Sequence, residues 1–216
     1  MKGSIHCIRG EKYPYIFRGL YTYRAIDILL QAGVKTNVHY VLSEKTLKEA
    51  VRLLEEGGFR EGINAAVFLL HKPIGLGRKE HIIRDTTPCL EEFFALIDRG
   101  GLPFKIGFDS CTVPGLLRYF KMTDSVSIDT CEGGRWSAYI TPDMHMLPCS
   151  FDNQQMCWAV DLRSHSIEEA WNGSVFDRFR KNFQNACQIA VRGGFAWAAA
   201  LYARTSCCAD KGLADK

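Results

Sequence analysis

The sequence predicts an α/β fold: a parallel βα series over residues 1–112, a small cysteine-rich α+β domain over 113–187, and a distinct tail over 188–216. Three observations predict it. Apolar runs alternate with amphipathic helical segments as far as residue 112. Ala65 to Leu70 is apolar on both faces, as suits a strand inside a parallel sheet covered on both sides. After Cys111 the chain changes to short aromatic and β-branched runs flanked by cysteines.

The elements follow in order. Gly3 to Ile8 reads as the first strand. A helix follows from about Thr22, with Ala25, Ile26, Leu29 and Leu30 on one face and Gly33 as its stop. Val34 to Leu42 reads as a strand, and Ser43 as the N-cap of a helix carrying Leu47, Ala50, Val51 and Leu54 at helical spacing. Gly57-Gly58 ends that helix, and Ala65 to Leu70 is the third strand. Thr87-Pro88 opens the next helix with proline in its first turn; its apolar set is Leu90, Phe93, Phe94 and Ile97. Lys105 begins the fourth strand. Four strands fall short of a closed eight-stranded barrel, which needs roughly 200 residues or more, and look like half of one.

In the cysteine-rich part, Trp136 to Ile140 reads as a strand and Thr141-Pro142-Asp143 as a turn. The unit ends at Pro148-Cys149, so it forms a hairpin with Cys131 and Cys149 at its two ends. Ser166 caps a helix carrying Ile167, Ala170 and Trp171, with Val175, Phe176 and Phe179 continuing the apolar set.

Bulk composition bounds the function. Of 216 residues, 47% are hydrophobic and 24% charged, as in ordinary globular proteins. A net charge of +3 gives no argument for nucleic acid. No apolar run is long enough to span a membrane, and the first residues lack the apolar core of a signal peptide, so a cytoplasmic location is expected. Nine cysteines is then a high and odd number, which favours metal binding or catalysis over disulfides.

Parallel α/β proteins gather chemistry at the carboxyl ends of their strands. Here those ends are His6-Cys7, Leu42-Ser43, His71-Lys72-Pro73 and Asp109-Ser110-Cys111.

The cysteine pattern carries a resemblance. Twelve residues separate Cys131 from Met144, and four more separate Met144 from Cys149. Ser166-Ile167-Glu168-Glu169-Ala170-Trp171 and Phe179-Arg180 follow, and then Cys187. This resembles radical S-adenosylmethionine enzymes that carry a SPASM domain, except that Met144 stands where that pattern has glycine. Residues 1–112 are similar to the second half of that family's partial barrel, with Ser4-Ile5-His6 as its fourth strand. The resemblance implies that Cys131 and Cys149 ligate an auxiliary [4Fe–4S] cluster and that Cys187 starts a second ligand group. Cys111 is a further candidate ligand, against a buried structural thiol. It implies S-adenosylmethionine for the full-length family, with Ser4, His6 and Asn37 as candidate contacts. It also implies a peptide or protein substrate; the alternative reading, a structural module, would act with a partner chain supplying the first barrel half. The motif Cys-x3-Cys-x2-Cys, which holds the family's reducing cluster, is absent from this sequence.

The series breaks after Cys187. Restoring one base there permits a continuation with Cys-x2-Cys-x5-Cys-x3-Cys, because Ala190, Ala196, Ala200, Ala203 and Ala209 become cysteines in the neighbouring frame. Residues 188–216 are therefore expected to be an out-of-frame translation, the alternative being a genuine alanine-rich helix. Functionally, the sequence points to a piece of a radical S-adenosylmethionine/SPASM enzyme, inactive alone. The alternatives are a zinc- or cluster-binding structural module, with His145 near Cys149, and a non-functional pseudogene product.

Overall fold

The computed structural model describes residues 2–6, 15–72, 76–84, 86–112, 119, 131–152, 156 and 158–181, with side chains described from Tyr21 onward. Two sheets organise them. The first is parallel, with strands β1 (Lys2–His6), β2 (Lys35–Leu42), β3 (Ala65–Leu70) and β4 (Lys105–Phe108) in sequential order. The second is antiparallel and smaller: β5 (Tyr139–Ile140), β6 (His145–Leu147) and β7 (Val160–Asp161).

Helices α1 (Tyr15–Gln31), α2 (Leu47–Glu55) and α3 (Leu90–Arg99) connect the parallel strands. The register runs Asn37 against Ala65 and Ala65 against Lys105, so β2, β3 and β4 start nearly level. Consecutive parallel strands joined by helices are what the alternating pattern predicts. Closure into a barrel is not part of what the four strands establish.

The core lies between the sheet and α2 and α3. Leu47, Ala50, Val51 and Leu54 of α2 are buried, as are Leu90, Phe93, Phe94 and Ile97 of α3. Phe68, on β3, is its hub. Its ring meets Phe93 edge-on at 4.9 Å, Tyr40 at 5.9 Å and Phe59 at 6.2 Å. Such aromatic pairs add to the burial of each ring.

Several element boundaries differ from the sequence reading. Helix α1 begins at Tyr15 and runs through Gly19. The regular part of α2 begins at Leu47, but Ser43 still organises its entry. The Ser43 amide donates to Thr46 Oγ1 (2.8 Å), the Thr46 amide to Ser43 Oγ (3.3 Å), and the Leu47 amide to the Ser43 carbonyl (2.9 Å). That is a reciprocal box one turn ahead of the helix. Pro88 lies in the turn before α3, which starts at Leu90, and Cys89 precedes it with φ at +64°. The predicted first strand past His6 lies outside the described residues.

In the second part, α4 (Ile167–Asn172) starts as predicted. Ser166 Oγ accepts from the Glu169 amide (3.2 Å), and Glu169 Oε2 accepts from the Ser166 amide (2.7 Å). A second helix, α5, covers residues 174–181. Phe176 and Phe179 are buried, Phe176 with Met146 and Ala170, and Phe179 edge-on to Trp158 at 5.5 Å.

Candidate metal centre

A tight turn follows Cys131. The Glu132 carbonyl accepts from the amides of Arg135 (3.0 Å), Trp136 (2.9 Å) and Ser137 (3.2 Å), and the Gly134 amide donates to Ser137 (2.9 Å). These bonds take up the amides that a strand from residue 136 would need. The strand therefore shrinks to Tyr139–Ile140, and Trp136 stands 84% exposed. On the other side of the hairpin, Cys149 follows β6 after Pro148. Tyr139 pairs with Leu147, and Cys131 and Cys149, which flank this hairpin, are both half-buried.

Gly133 lies between them. A Cβ there would come within 2.9 Å of the Pro148 carbonyl oxygen, 3.5 Å of Cys131 Sγ and 3.7 Å of Cys149 Cβ. At Gly134, φ is +66° and a Cβ would meet Phe179 Cδ1 and Pro148 Cβ, each at 3.0 Å. The two glycines thus let the turn close against Pro148 and Phe179, with Cys131 Sγ and Cys149 Cβ both beside Gly133. A side chain at either position would clash there.

Arg180 reaches into the same turn from α5. Its Nε donates to the Gly134 carbonyl (2.7 Å) and its Nη2 to the Trp171 carbonyl at the end of α4 (2.6 Å). The guanidinium lies over the rings of Trp171 (5.0 Å) and Phe176 (5.8 Å). A planar fork with several donors can span two carbonyls and stack on rings at once.

Met144 occupies the glycine position of the spacing and adopts φ of +64°. The hairpin turn survives, with its amide donating to Thr141 (3.0 Å) and its carbonyl accepting from Leu162 (2.8 Å). The position asks for a left-handed residue, which explains why glycine suits it. Nearby, a hydrogen bond from Thr141, helped by His145, holds the Asp143 carboxyl below its ordinary range. Asp161 is lowered to about 2 by its hydrogen bonds with Arg163.

The carboxyl edge of the parallel sheet carries a different cluster. Lys72 Nζ lies 2.5 Å from Asp109 Oδ2 and donates to the Leu70 carbonyl (3.2 Å). Asp109 Oδ1 accepts from the Leu70 and Thr112 amides (3.3 and 3.1 Å) and from the Thr112 hydroxyl. Lys72 also sits under the Phe151 ring at 4.7 Å. Phe151 is two residues past Cys149, so this contact ties the cysteine-rich part to the strand ends.

The remaining candidates are dispersed. Cys111 is 9% exposed and packs into the core of the parallel sheet. Among the described residues no three of His, Cys, Asp and Glu converge as a metal site. Cys187 and the tail lie outside the described residues. Ser4 pairs with Asn37 and His6 with His39 along the backbone. Asn37 is the third residue of β2, and its Oδ1 accepts from Asn64 Nδ2 (2.6 Å). That places it toward the amino end of the strand, away from the edge carrying Lys72 and Asp109. Sequence reasoning missed Lys72 with Asp109 as a pair and the bracing role of Arg180. Only the strand-end rule pointed to the former.

No described helix is long and apolar enough to cross a membrane. Cysteine thiolates are the standard ligands of iron–sulfur clusters, which normally take four. The described residues place two of that type, Cys131 and Cys149, beside Gly133, so the donor type fits such a group. No curated protein and no solved structure matches the chain. Residues 131–189 match the model of SPASM, an iron–sulfur cluster-binding domain, and that stretch contains Cys131, Cys149, Cys187 and the bracing Arg180.

Proposed function

We propose that the chain is part of a radical S-adenosylmethionine/SPASM enzyme, acts on a peptide or protein, and binds an auxiliary [4Fe–4S] cluster through Cys131 and Cys149. The observation that carries the reading is the cluster-binding match over residues 131–189, with those two cysteines both beside Gly133. A cluster held there would supply electron transfer or a substrate anchor. What this chain's own residues do is orient two thiolates, exclude side-chain bulk at Gly133 and Gly134, and fasten the turn through Arg180. The parallel sheet stands for the second barrel half. Ser4, His6 and Asn37 are proposed as contacts of S-adenosylmethionine on the resemblance alone.

Residues 1–216 hold no Cys-x3-Cys-x2-Cys, so radical initiation requires those ligands from outside this stretch. The SPASM match ends at residue 189, two residues past Cys187, where the cysteine series breaks. That supports reading residues 188–216 as out of frame. Nucleotide sequence across codon 187 tests it: a one-base change should restore the cysteine series, and the tail reading fails without one.

Anaerobic reconstitution with iron and sulfide tests the function. The protein should gain broad absorbance at about 400 nm from thiolate-to-iron charge transfer, and the double variant C131A/C149A should not. A colourless protein holding stoichiometric zinc would overturn the reading.

A further inference from the structure

We infer that Arg180 is a positioning residue for the cysteine pair: it holds the Gly133-Gly134 turn, and with it Cys131, in the geometry that accepts a cluster. This rests on the cluster-binding reading of the same site. Three observations carry it. Arg180 is the described side chain that joins the turn to both helices, bonding the Gly134 carbonyl and the Trp171 carbonyl forty-six and nine residues away in sequence. Its guanidinium is fixed by two aromatic faces, so it is rigidly placed. And the residue preceding Gly134 is Gly133, which lies against the Pro148 carbonyl, with Cys131 Sγ and Cys149 Cβ the next nearest atoms to its Cβ position. A shift of the turn therefore changes the contacts of both cysteines.

Arg180 carries a second consequence through its charge. It is partly buried next to the Cys131 turn. A fixed cation near an anionic thiolate cluster favours the reduced, more negative state, and cluster potentials respond to nearby charge and burial. With a cluster bound through Cys131, the Arg180 charge would favour its reduced state.

The test uses R180K and R180Q in the full chain. In the metal-free protein, alkylation of Cys131 is followed by peptide mass spectrometry, with far-UV circular dichroism as the check on folding. Both variants should alkylate Cys131 several-fold faster than wild type, because lysine cannot span both carbonyls. After reconstitution, R180Q should show altered electron paramagnetic resonance g-values and a midpoint potential shifted negative, and R180K a smaller shift because it keeps the charge. Wild-type alkylation rates in a folded variant would overturn the positioning role. Unchanged potential in R180Q would overturn the electrostatic one. Should wild type take up no iron, the cluster reading fails, and the alkylation comparison alone still decides whether Arg180 braces the turn.

Discussion

Replacing Gly134 by alanine tests the glycine-lined turn at its tightest point. Gly134 has φ of +66°, and an added Cβ would lie 3.0 Å from both Phe179 Cδ1 and Pro148 Cβ. Left-handed backbone costs an L-residue about 1–2 kcal/mol, and overpacking a tight site adds about 1–3 kcal/mol. Lower entropy of the unfolded chain returns about 0.4–1 kcal/mol. The net loss should be about 2–3 kcal/mol. The strain also falls on the ring that meets Trp158 edge-on, so tryptophan fluorescence should report it. Urea unfolding followed by fluorescence and circular dichroism, wild type against G134A, measures the difference. A loss below about 0.5 kcal/mol, the range of ordinary surface substitutions, would refute the argument that the turn must approach Pro148 and Phe179 this closely.

Four further outcomes are expected. Phe68→Ala removes the hub of the parallel-sheet core and should cost about 3–5 kcal/mol in urea unfolding. Lys72→Met leaves the Asp109 carboxylate without its cation at a site where the two side chains are 12% and 18% exposed; a loss of about 3 kcal/mol should appear, and D109N in the same chain, which keeps an acceptor for the Leu70 and Thr112 donors, should recover part of it. Ser166→Ala breaks the reciprocal cap of α4 and should cost about 1 kcal/mol. Asp161 titrates at about 2 because Arg163 favours its charged form. Its contribution to stability is therefore complete above the ordinary carboxylate range and disappears as pH falls through about 2; carboxyl NMR should find this midpoint in wild type, and R163A should move it up towards 3.8.

Much of the fold was legible because its signals were local. The helical spacing of Leu47, Ala50, Val51 and Leu54 named the buried face of α2, and Ser166 with Glu169 named the start of α4. The two-sided apolar run at Ala65–Leu70 placed β3 inside the sheet. The misses have a common cause. The sequence starts α1 near Thr22, whereas it begins at Tyr15 and runs through Gly19; one glycine costs a helix only about 1 kcal/mol against alanine, which packing readily offsets. Trp136–Ile140 has strand-forming side chains, but the Glu132 carbonyl gathers three amides into a turn. No composition rule reveals that competition.

At the site, spacing named Cys131 and Cys149, and the turn geometry at Met144 shows why that spacing includes a position suited to glycine. Arg180 and the Lys72–Asp109 pair were hidden because each acts across a long sequence separation. The approach of Gly133 to Pro148 was hidden for the same reason: its signal is an absence of side chain, which a sequence records only as one more glycine.

Iron and sulfide counted per chain after anaerobic reconstitution, in wild type and in C131A/C149A, test the central claim most directly. The account predicts bound iron and acid-labile sulfide in wild type, with the associated absorbance, and the loss of both in the double variant. Equal iron and sulfide in the two proteins, or none in a correctly folded wild type, would contradict it.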